Sequence, residues 1–383
     1  MSKVTMIGCD LHDRWMLLKV AVGSGQPMKK SFETSHAAEM IVWLKEFARQ
    51  HDSRRIVFAY EASGLGFGLY DELTDAGIEC HVLAPTHLPH TAHRRKNKTD
   101  EKDAEMILDE VRAFVLAGRE LPAVWVPDPE TRDDREPVRL RLRLGKQRTQ
   151  IKNQIRCLFK RSKWSLPDWF TKSGDWSQRS VKWLRAVAAG DEADLPPGVL
   201  AVLAPLVALY ESFTAQLKAL DEVIGELAQS ERYAKAFRKL KLLKGVGTLT
   251  AMVFLTEIGD LNRFANRRQL AAYLGLAPAS YESGERDDRK GRITRQGPSQ
   301  VRQVLCQAAW AALRCSDKWR DTYEQVKRGS QKRSKVAIVA VMRKLAITMW
   351  HVARSPEIDE LIEEMDDLKV DQQQTADRER KAA

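Results

Sequence analysis

The sequence predicts an α/β region at the N-terminus followed by a mainly helical region, so the fold class is α/β plus α. Three observations predict it: short apolar strand patterns before residue 90, two long helical patterns at 135–163 and 205–229, and apolar helices from residue 236 onward. With 383 residues, the chain is long enough for two or three domains of roughly 150 residues each.

Strand and helix patterns follow one another in a defined order in the first 120 residues. They predict strands at 4–10, 15–22 and 29–34, a helix at 36–50, a strand at 55–63, a helix at 66–77, a strand at 79–85 and a helix at 100–116. This is the element order of an RNase H-like (RuvC-like) sheet. A doubly wound nucleotide-binding fold competes, but it needs a glycine-rich loop where the chain reads GCDLHDR.

The middle of the chain predicts two long helices joined by a tryptophan-rich insert. A proline-containing linker at 122–134 precedes the first helix, whose surroundings carry twelve Lys or Arg and three acids between Arg132 and Lys163. The second helix has a heptad-like seam, formed by Leu206, Leu209, Phe213, Leu220, Ile224 and Leu227. Such a seam favours a coiled-coil hairpin or a dimer contact. The insert contains Trp164, Trp169, Trp176 and Trp183, which we expect to pack at the hairpin tip.

The last third of the chain predicts a helical domain. It begins with a helix, a Gly-Val-Gly turn and a helix at 241–259, and continues with a helix at 261–278, a loop at 279–299 and helices at 301–314 and 334–354. The tail at 357–383 has ten acids and four basic residues, which is typical of a partly disordered segment. We therefore expect domains at 1–125, 126–235 and 236–355, with an acidic tail at 356–383.

Composition and charge exclude several classes of protein. Hydrophobic residues make up 43% of the chain, too many for a disordered protein. We find no apolar run of about 18 residues and no signal-peptide pattern, so we expect no membrane span and a cytoplasmic protein. The five scattered cysteines predict neither a disulfide framework nor a zinc site. The net charge of +11 indicates a polyanionic partner, most simply nucleic acid.

Four carboxylates fall where the predicted elements would bring them together. Asp10 ends the first strand and Glu61 the fourth, and these strands are neighbours in an RNase H-like sheet. Asp100 and Asp103 share one face of the following helix. Asp10, Asp100 and Asp103 each have an ordinary structural explanation as a turn former or helix cap. Glu61 is harder to explain in that way, because it ends an apolar strand. Together the four carboxylates would repel unless a divalent cation held them. We therefore predict a Mg²⁺ site. We interpret His12 and Asp13 as loop residues, Asp13 being a weak additional ligand candidate.

Two segments of the helical region predict phosphate contacts. The turn containing Lys244, Gly245 and Gly247 resembles a helix-hairpin-helix, whose backbone N–H groups can bind phosphate; an ordinary corner between helices is the alternative. The loop at 279–299 carries Ser283 before a glycine, followed by Arg286, Arg289, Lys290, Arg292 and Arg295. A serine among arginines can attack a phosphodiester; a solvated loop is the alternative. Basic stripes at 135–163 and 327–344 suit a phosphate backbone or a solvated helix face.

These motifs in this order resemble the transposases of the insertion-sequence one-ten family, the DEDD recombinases that include the Piv-type DNA invertases. The first three blocks are GCDLHDR, AYEASG and KNKTDEKDAEMI, and the C-terminal block runs from LKGVGTLTAMVF through SYESGERDDRKGRITRQG to SQVRQVLCQAAWAA. The resemblance covers most of residues 1–355. It does not cover the insert around 164–197 or the acidic tail.

The resemblance implies an RNase H-like domain, a coiled-coil linker and a helical transposase domain. It implies Mg²⁺, with Mn²⁺ as an alternative, held by Asp10, Glu61, Asp100 and Asp103. It also implies a serine nucleophile, which here is Ser283, with Ser280 as the fallback. A structured guide RNA encoded by the element would pair with donor and target DNA, by analogy with other RNA-guided enzymes.

We therefore expect a bacterial, nucleoid-associated transposase that cuts and rejoins DNA as a homodimer or tetramer. A RuvC-like nuclease or junction resolvase, which needs the carboxylates but no covalent serine intermediate, is the first alternative. A non-catalytic nucleic-acid-binding descendant of such an enzyme is the second.

Overall fold

The computed structural model of the protein describes residues 3–88, 99–172, 176–191, 195–280 and 290–360. The chain forms two compact units, Met1–Pro127 and Asp128–Ala383. Each unit has its own buried apolar core, and each is described here by itself.

The first unit is a five-stranded sheet with helices on both faces. Its elements are β1 (Lys3–Leu11), β2 (Trp15–Val22), β3 (Met28–Glu33), α1 (Ala37–Gln50), β4 (Ser53–Glu61), α2 (Gly68–Asp75), β5 (Glu79–Leu83) and α3 (Asp100–Ala117). The strand order is β3-β2-β1-β4-β5. The first three strands form an antiparallel meander, whereas β4 runs parallel to both β1 and β5. The prediction that the first and fourth strands are neighbours is confirmed, and the order fits an RNase H-like sheet.

The two faces of this sheet differ in the size of their side chains. Because side chains alternate along a strand, Ile7, Phe58 and Tyr60 lie on the face that packs against α1 and α2. Met6 and Ala59 lie on the opposite face, against the apolar side of α3. Gly8, on this second face, allows the backbone of α3 to approach the sheet closely.

The second unit is helical and begins with a hairpin of two long helices. Its helices are α4 (Pro129–Arg161), α5 (Asp168–Lys172), α6 (Gln178–Ala189), α7 (Pro197–Gln229), α8 (Ala234–Lys241), α9 (Thr248–Ile258), α10 (Arg267–Tyr273), α11 (Ser299–Cys315), α12 (Asp317–Lys327) and α13 (Ser334–Arg354), and its two strands are β6 (Pro278–Ser280) and β7 (Lys290–Ile293). The long helices α4 and α7 pack against each other along the hairpin.

Both long helices begin earlier than the sequence predicts. The predicted linker at 122–134 is wrong in its last six residues, because Asp128 caps the N-terminus of α4 by accepting a hydrogen bond from the Thr131 N–H at 2.7 Å. Proline at the first helical position then suits the helix start. The helix α7 likewise starts eight residues before the predicted 205, with Pro205 inside it. In the predicted seam of α7, Leu209 is 45% exposed, whereas Ile224 is buried.

The tryptophan-rich insert packs into a small core of its own. The rings of Trp164 and Trp183 stack at a centroid distance of 5.5 Å. Phe170 and Trp176 are buried among apolar residues of α4 and α7, with Tyr210 beside them. These aromatic side chains stabilise the end of the hairpin where α4 stops and α7 begins.

The predicted helix at 261–278 is wrong over most of its length. The chain forms only the short helix α10 there and then turns at Gly275, whose φ of +63° suits glycine. The strands β6 and β7 pair in antiparallel fashion within the segment predicted as a loop. The helix α12 was not predicted. The tail from residue 361 onward lies outside the described residues.

Two helices of the second unit are long and apolar enough to match a membrane span by composition, contrary to the expectation from sequence. They are Pro197–Gln229, with mean hydropathy 1.6, and Gln331–Arg354, with mean hydropathy 1.5. Half of the apolar window of the second helix is buried within the unit, as in a core helix of a globular protein, against 17% for the first. Length and composition alone are weak evidence for a membrane span.

Candidate active site

The carboxyl ends of two neighbouring strands place two of the predicted acids side by side. Gly8 pairs with Ala59 and Cys9 with Tyr60 in the parallel ladder of β1 and β4. Asp10 and Glu61 are therefore the next residues of the two strands. Glu61 shares the face of Ala59 by strand alternation, which is the face that carries Asp10 and packs against α3.

A glycine in β1 lets the helix α3 reach this edge of the sheet. A Cβ atom on Gly8 would lie 2.2 Å from the Ala104 carbonyl oxygen and 2.3 Å from the Leu108 nitrogen. No side chain other than hydrogen fits there without displacing the helix backbone. Thr99 caps α3, and the first turn of the helix therefore brings Asp100 and its neighbours to the end of β1.

Two lysines hold the start of α3 through Glu101. Lys19 Nζ, on β2, lies 2.7 Å from Glu101 Oε1, and Lys29 Nζ, on β3, lies 2.9 Å from Glu101 Oε2. These two lysines lower the pKa of Glu101 to about 2. Lys19 also pairs with Gly8 across the β1–β2 ladder, so this ion-pair cluster lies beside the close helix–strand contact.

Asp10, His12 and Asp100 form a cluster of potential metal ligands within the described part of the chain. One donor atom of each lies within 4.8 Å of the others. His12 Nε2 donates to Asp10 Oδ2 at 3.1 Å and lies 3.6 Å from Asp100 Oδ1. Asp103 and Glu61 are not members of this cluster.

The electrostatics of Asp10 fit a cation site. Partial burial raises the pKa of Asp10, His12 lowers it by charge and hydrogen bonding, and the nearby carboxylates of Asp100 and Asp103 raise it further. Carboxylates that repel one another are stabilised by a divalent cation. The donor set of carboxylate oxygens fits Mg²⁺ or Mn²⁺, and the imidazole nitrogen fits Mn²⁺ and later transition metals.

The predicted serine lies in a segment bounded by two paired strands. Ser283, Arg286 and Arg289 lie outside the described residues, as do the side chains of Ser280 and Lys290. The backbones of Ser280 and Lys290 are partners across β6 and β7. The chain therefore leaves and returns at one two-stranded ribbon. Arg292, within β7, and Arg295, shortly after it, are exposed.

The base of this ribbon is held by residues that sequence reasoning missed. Gly297 has a φ of +73°, and a Cβ atom there would lie 1.8 Å from the Tyr273 carbonyl oxygen. Arg302 Nη1, on α11, donates to the carbonyl oxygens of Gln296 at 2.8 Å and of Leu274 and Gly297 at 3.1 Å. One guanidinium thus ties the end of α10 to the turn that follows β7.

The Gly-Val-Gly turn has a packing role as well as an exposed side. Gly245, with a φ of +94°, lies against α11, where a Cβ atom would be 2.7 Å from the Ala312 nitrogen. Gly247 caps α9 and has open space around its Cα, and Lys244 is exposed. The close packing explains the first glycine without a ligand, whereas the second leaves backbone accessible.

Two family models match parts of the chain. A DEDD-type model described as Transposase matches residues 7–163. A model described as Transposase IS116/IS110/IS902 family matches residues 238–324. The protein named "Putative transposase y4qE" of Sinorhizobium fredii (strain NBRC 101917 / NGR234) is 30% identical over 325 residues, covering 78% of this chain and 75% of the relative. The chain belongs to the IS116/IS110/IS902 transposase family.

Other relatives of this transposase carry similar names. The protein y4rJ of the same Sinorhizobium strain, named in the same way, is 29% identical over 366 residues, covering 88% of this chain and 89% of the relative. The transposase for insertion sequence element IS1111A of Coxiella burnetii (strain RSA 493 / Nine Mile phase I) is 27% identical over 254 residues, covering 66% of this chain and 65% of the relative. The expectation of an enzyme that cuts and rejoins DNA is confirmed by this membership.

The transposase uses part of its basic helix α4 for internal structure. Arg135 is buried and donates to the carbonyl oxygens of Thr256 at 2.7 Å and Glu257 at 3.0 Å. Arg139 forms a two-bond fork on the buried Glu257 carboxylate, at 2.7 and 2.9 Å. These two cations stabilise the junction of α4 with α9, so they do not count toward the charge available to DNA.

Five other cations surround a groove in the second unit. The groove has a volume of about 500 Å³ and is lined by Arg267, Arg268, Lys318, Arg343 and Lys344, together with Trp319 and two threonines. None of the five forms an ion pair with another described residue. The predicted basic stripe at 327–344 thus contributes two of its seven cations to a concave surface with no acidic lining residue.

Proposed function

We propose that this transposase cuts and rejoins DNA through a divalent-metal site on the first unit and a serine nucleophile at Ser283. The observation that carries the metal site is the approach of Asp10 and Asp100 to within 4.8 Å of a common imidazole. Asp10, Glu61, Asp100 and Asp103 would hold Mg²⁺, or Mn²⁺. The bound ion would polarise the scissile phosphate and stabilise the leaving oxygen.

The covalent step belongs to the serine in this proposal. The Ser283 hydroxyl oxygen attacks the scissile phosphorus and gives up its proton, and the bond to one deoxyribose oxygen breaks. The released hydroxyl takes a proton, and the other DNA end remains as a phosphoserine ester. Attack by the released hydroxyl of a second strand on this ester would rejoin the DNA and free the serine.

Replacing Ser283 by alanine tests the covalent step. We expect covalent DNA–protein adducts to disappear, and strand exchange with them, because no other atom would accept the phosphoryl group. Denaturing gels of full-length protein with labelled DNA measure the adducts, and a mobility-shift assay should show unchanged DNA binding. The matched control is Ser280→Ala, which should keep its adducts.

The outcomes separate the alternatives. Loss of adducts in Ser280→Ala alone would move the nucleophile to Ser280. Strand cleavage at the wild-type rate by Ser283→Ala would instead support a RuvC-like nuclease or resolvase that uses metal and water without a covalent intermediate.

We propose that the basic groove binds the DNA backbone. Its five cations, which form no ion pair with another described residue, can neutralise phosphates of the backbone, and the nearly buried Trp319 also lines the groove. We assign further phosphate contacts to the Gly-Val-Gly turn and the serine loop, through Lys244, Gly245, Gly247, Arg286, Arg289, Lys290, Arg292 and Arg295.

The double variant Arg343→Ala, Lys344→Ala tests the groove. We expect DNA affinity to fall for all sequences alike, and the slope of log K against log salt concentration to become about two units shallower. Fluorescence anisotropy at several salt concentrations measures both. The control, Lys218→Ala with Lys235→Ala, removes two exposed lysines elsewhere in the second unit. Equal losses in the two double variants would mean that only net charge matters.

The remaining parts of the proposal rest on the family resemblance and on the chain's basic surfaces. A structured guide RNA encoded by the element would supply the sequence specificity by base pairing, and a homodimer or tetramer would carry the several strand cuts that excision and insertion need. We assign residues 1–125 to catalysis, 126–235 to a coiled-coil linker and 236–355 to a transposase domain with a helix-hairpin-helix, followed by an acidic tail at 356–383. The enzyme would act on the nucleoid in the cytoplasm.

A further inference from the structure

The link between β1 and β2 places a histidine at the metal site that the motif of four acids does not include. His12 follows Asp10 by two residues, in a link of three residues between the strands. Two hydrogen bonds fix the backbone of His12. The His12 N–H donates to the Trp15 carbonyl oxygen at 2.9 Å, and the Thr34 hydroxyl donates to the His12 carbonyl oxygen at 2.8 Å.

The ring of His12 is also held in orientation. It stacks on the Trp15 indole at a centroid distance of 4.6 Å and an interplanar angle of 22°. In this position Nε2 points at two carboxylates of different elements, Asp10 on β1 and Asp100 on α3. These contacts hold the backbone and the ring of His12 so that one ring nitrogen faces both carboxylates.

The distances between the donor atoms match a shared ion. Two neighbouring ligands at about 2.1 Å from an octahedral ion are about 3 Å apart. His12 Nε2 lies 3.1 Å from Asp10 Oδ2 and 3.6 Å from Asp100 Oδ1. All three donor atoms lie within 4.8 Å of one another, so one cation can contact all three after small movements of the side chains.

We propose that His12 Nε2 is a direct ligand of the catalytic divalent ion, so that the site has mixed nitrogen and oxygen ligands and prefers Mn²⁺ to Mg²⁺. This rests on the proposed metal site at Asp10 and Asp100. The imidazole binds as the neutral tautomer, with its hydrogen on Nδ1 and the Nε2 lone pair on the ion. Nitrogen ligands strengthen binding of Mn²⁺ and the later transition metals, whereas Mg²⁺ keeps its preference for oxygen.

A structural role for His12 is the competing explanation. As a hydrogen-bond donor to Asp10, it would orient that carboxylate without touching the ion. Loss of such an outer partner also weakens metal binding, by about 10–100-fold. Affinity alone therefore does not separate the two roles, and a spectroscopic measurement of direct coordination does.

The experiment titrates Mn²⁺ into the full-length, metal-free protein and follows it by electron paramagnetic resonance. We expect pulsed spectra of the bound Mn²⁺ to show the nuclear modulation of a directly coordinated ¹⁴N. That modulation should vanish in His12→Gln and in His12→Asn, with Mn²⁺ affinity falling about tenfold and Mg²⁺ affinity changing less. The control His36→Gln removes an exposed histidine of the same unit and should keep the modulation.

The results distinguish this inference from the proposed metal site. Bound Mn²⁺ that depends on Asp10 but gives no ¹⁴N modulation in the wild-type protein would overturn the role of His12 and leave the carboxylate site intact. Mn²⁺ binding that is unchanged in Asp10→Asn would overturn both. A modulation that persists in both His12 variants would assign the nitrogen to another residue.

Discussion

Replacing Asp10 by asparagine is expected to reduce DNA strand cleavage by about 10⁴-fold or more, the size of loss seen when one member of a catalytic unit is removed. Asparagine keeps the shape of the side chain and can still accept the His12 hydrogen bond. It cannot supply the anionic oxygen that a divalent cation needs beside Asp100. Single-turnover cleavage of labelled DNA measures the loss, and a mobility-shift assay should show that DNA binding remains.

The same variant should be at least as stable as the wild-type protein when no metal is bound. The pKa of Asp10 is raised, with burial as the largest cause, so the folded state binds the carboxyl proton more tightly than the unfolded state does. The stability contributed by the protonated Asp10 is lost as pH rises through its raised pKa, so the ionised carboxylate destabilises the folded state at neutral pH. Asparagine is neutral and removes this destabilisation, so the thermal unfolding midpoint measured in the presence of a chelator should stay or rise.

Asp13→Asn is the matched control for this prediction. Asp13 lies in the same short link between β1 and β2 but is exposed, so its loss should change cleavage little. If Asp10→Asn cleaves DNA at the wild-type rate, the metal site is not at Asp10. If Asp13→Asn loses as much activity as Asp10→Asn, the weak ligand candidate becomes a strong one.

Replacing Gly8 by alanine is expected to damage the site through packing alone. The new methyl group would lie 2.2 Å from one backbone atom of α3 and 2.3 Å from another, so the helix has to move. Overpacking of this kind costs about 1–3 kcal/mol. A displacement of about 1 Å can cost about 100-fold in rate, because α3 carries Asp100 and Asp103. Thermal unfolding, Mn²⁺ affinity and single-turnover cleavage should all decline.

Gly68→Ala is the control for the glycine substitution. Gly68 begins α2 in the same unit, and a Cβ atom there has no neighbour within 4 Å. Alanine at that position should leave cleavage and metal affinity unchanged. Unaltered melting and cleavage in Gly8→Ala would contradict the close approach of α3 to β1.

The strands themselves could be predicted because apolar strand patterns are a local property of sequence. Their order followed from the likeness of the element order to an RNase H-like sheet, and the neighbouring positions of β1 and β4 followed from it, with Asp10 and Glu61 at the ends of adjacent strands. The helix starts were less predictable, because a single cap such as Asp128 outweighs the average composition of the segment around it.

Residues whose role depends on contacts between distant segments were missed for a physical reason. Gly8 reads as an ordinary strand residue until α3 is seen against it, and Arg302 reads as surface charge until its carbonyl partners are known. His12 offered one signal, a histidine two residues after a candidate ligand in a very short link. The sequence nevertheless favours a loop residue at His12, because the stacking of its ring on Trp15 is not visible in sequence.

The two faces of β1 limit how this protein can change length over evolutionary time. Met6, Gly8 and Asp10 alternate with Ile7 and Cys9 along β1. The close contact with α3 and the carboxylate of Asp10 therefore lie on the same face of the sheet. Inserting or deleting one residue between Gly8 and Asp10 would turn the carboxylate toward the opposite face, among the large apolar side chains of the first unit. A change of length in this protein can therefore fall in its loops, whereas one between Gly8 and Asp10 would move the carboxylate off the face that packs against α3.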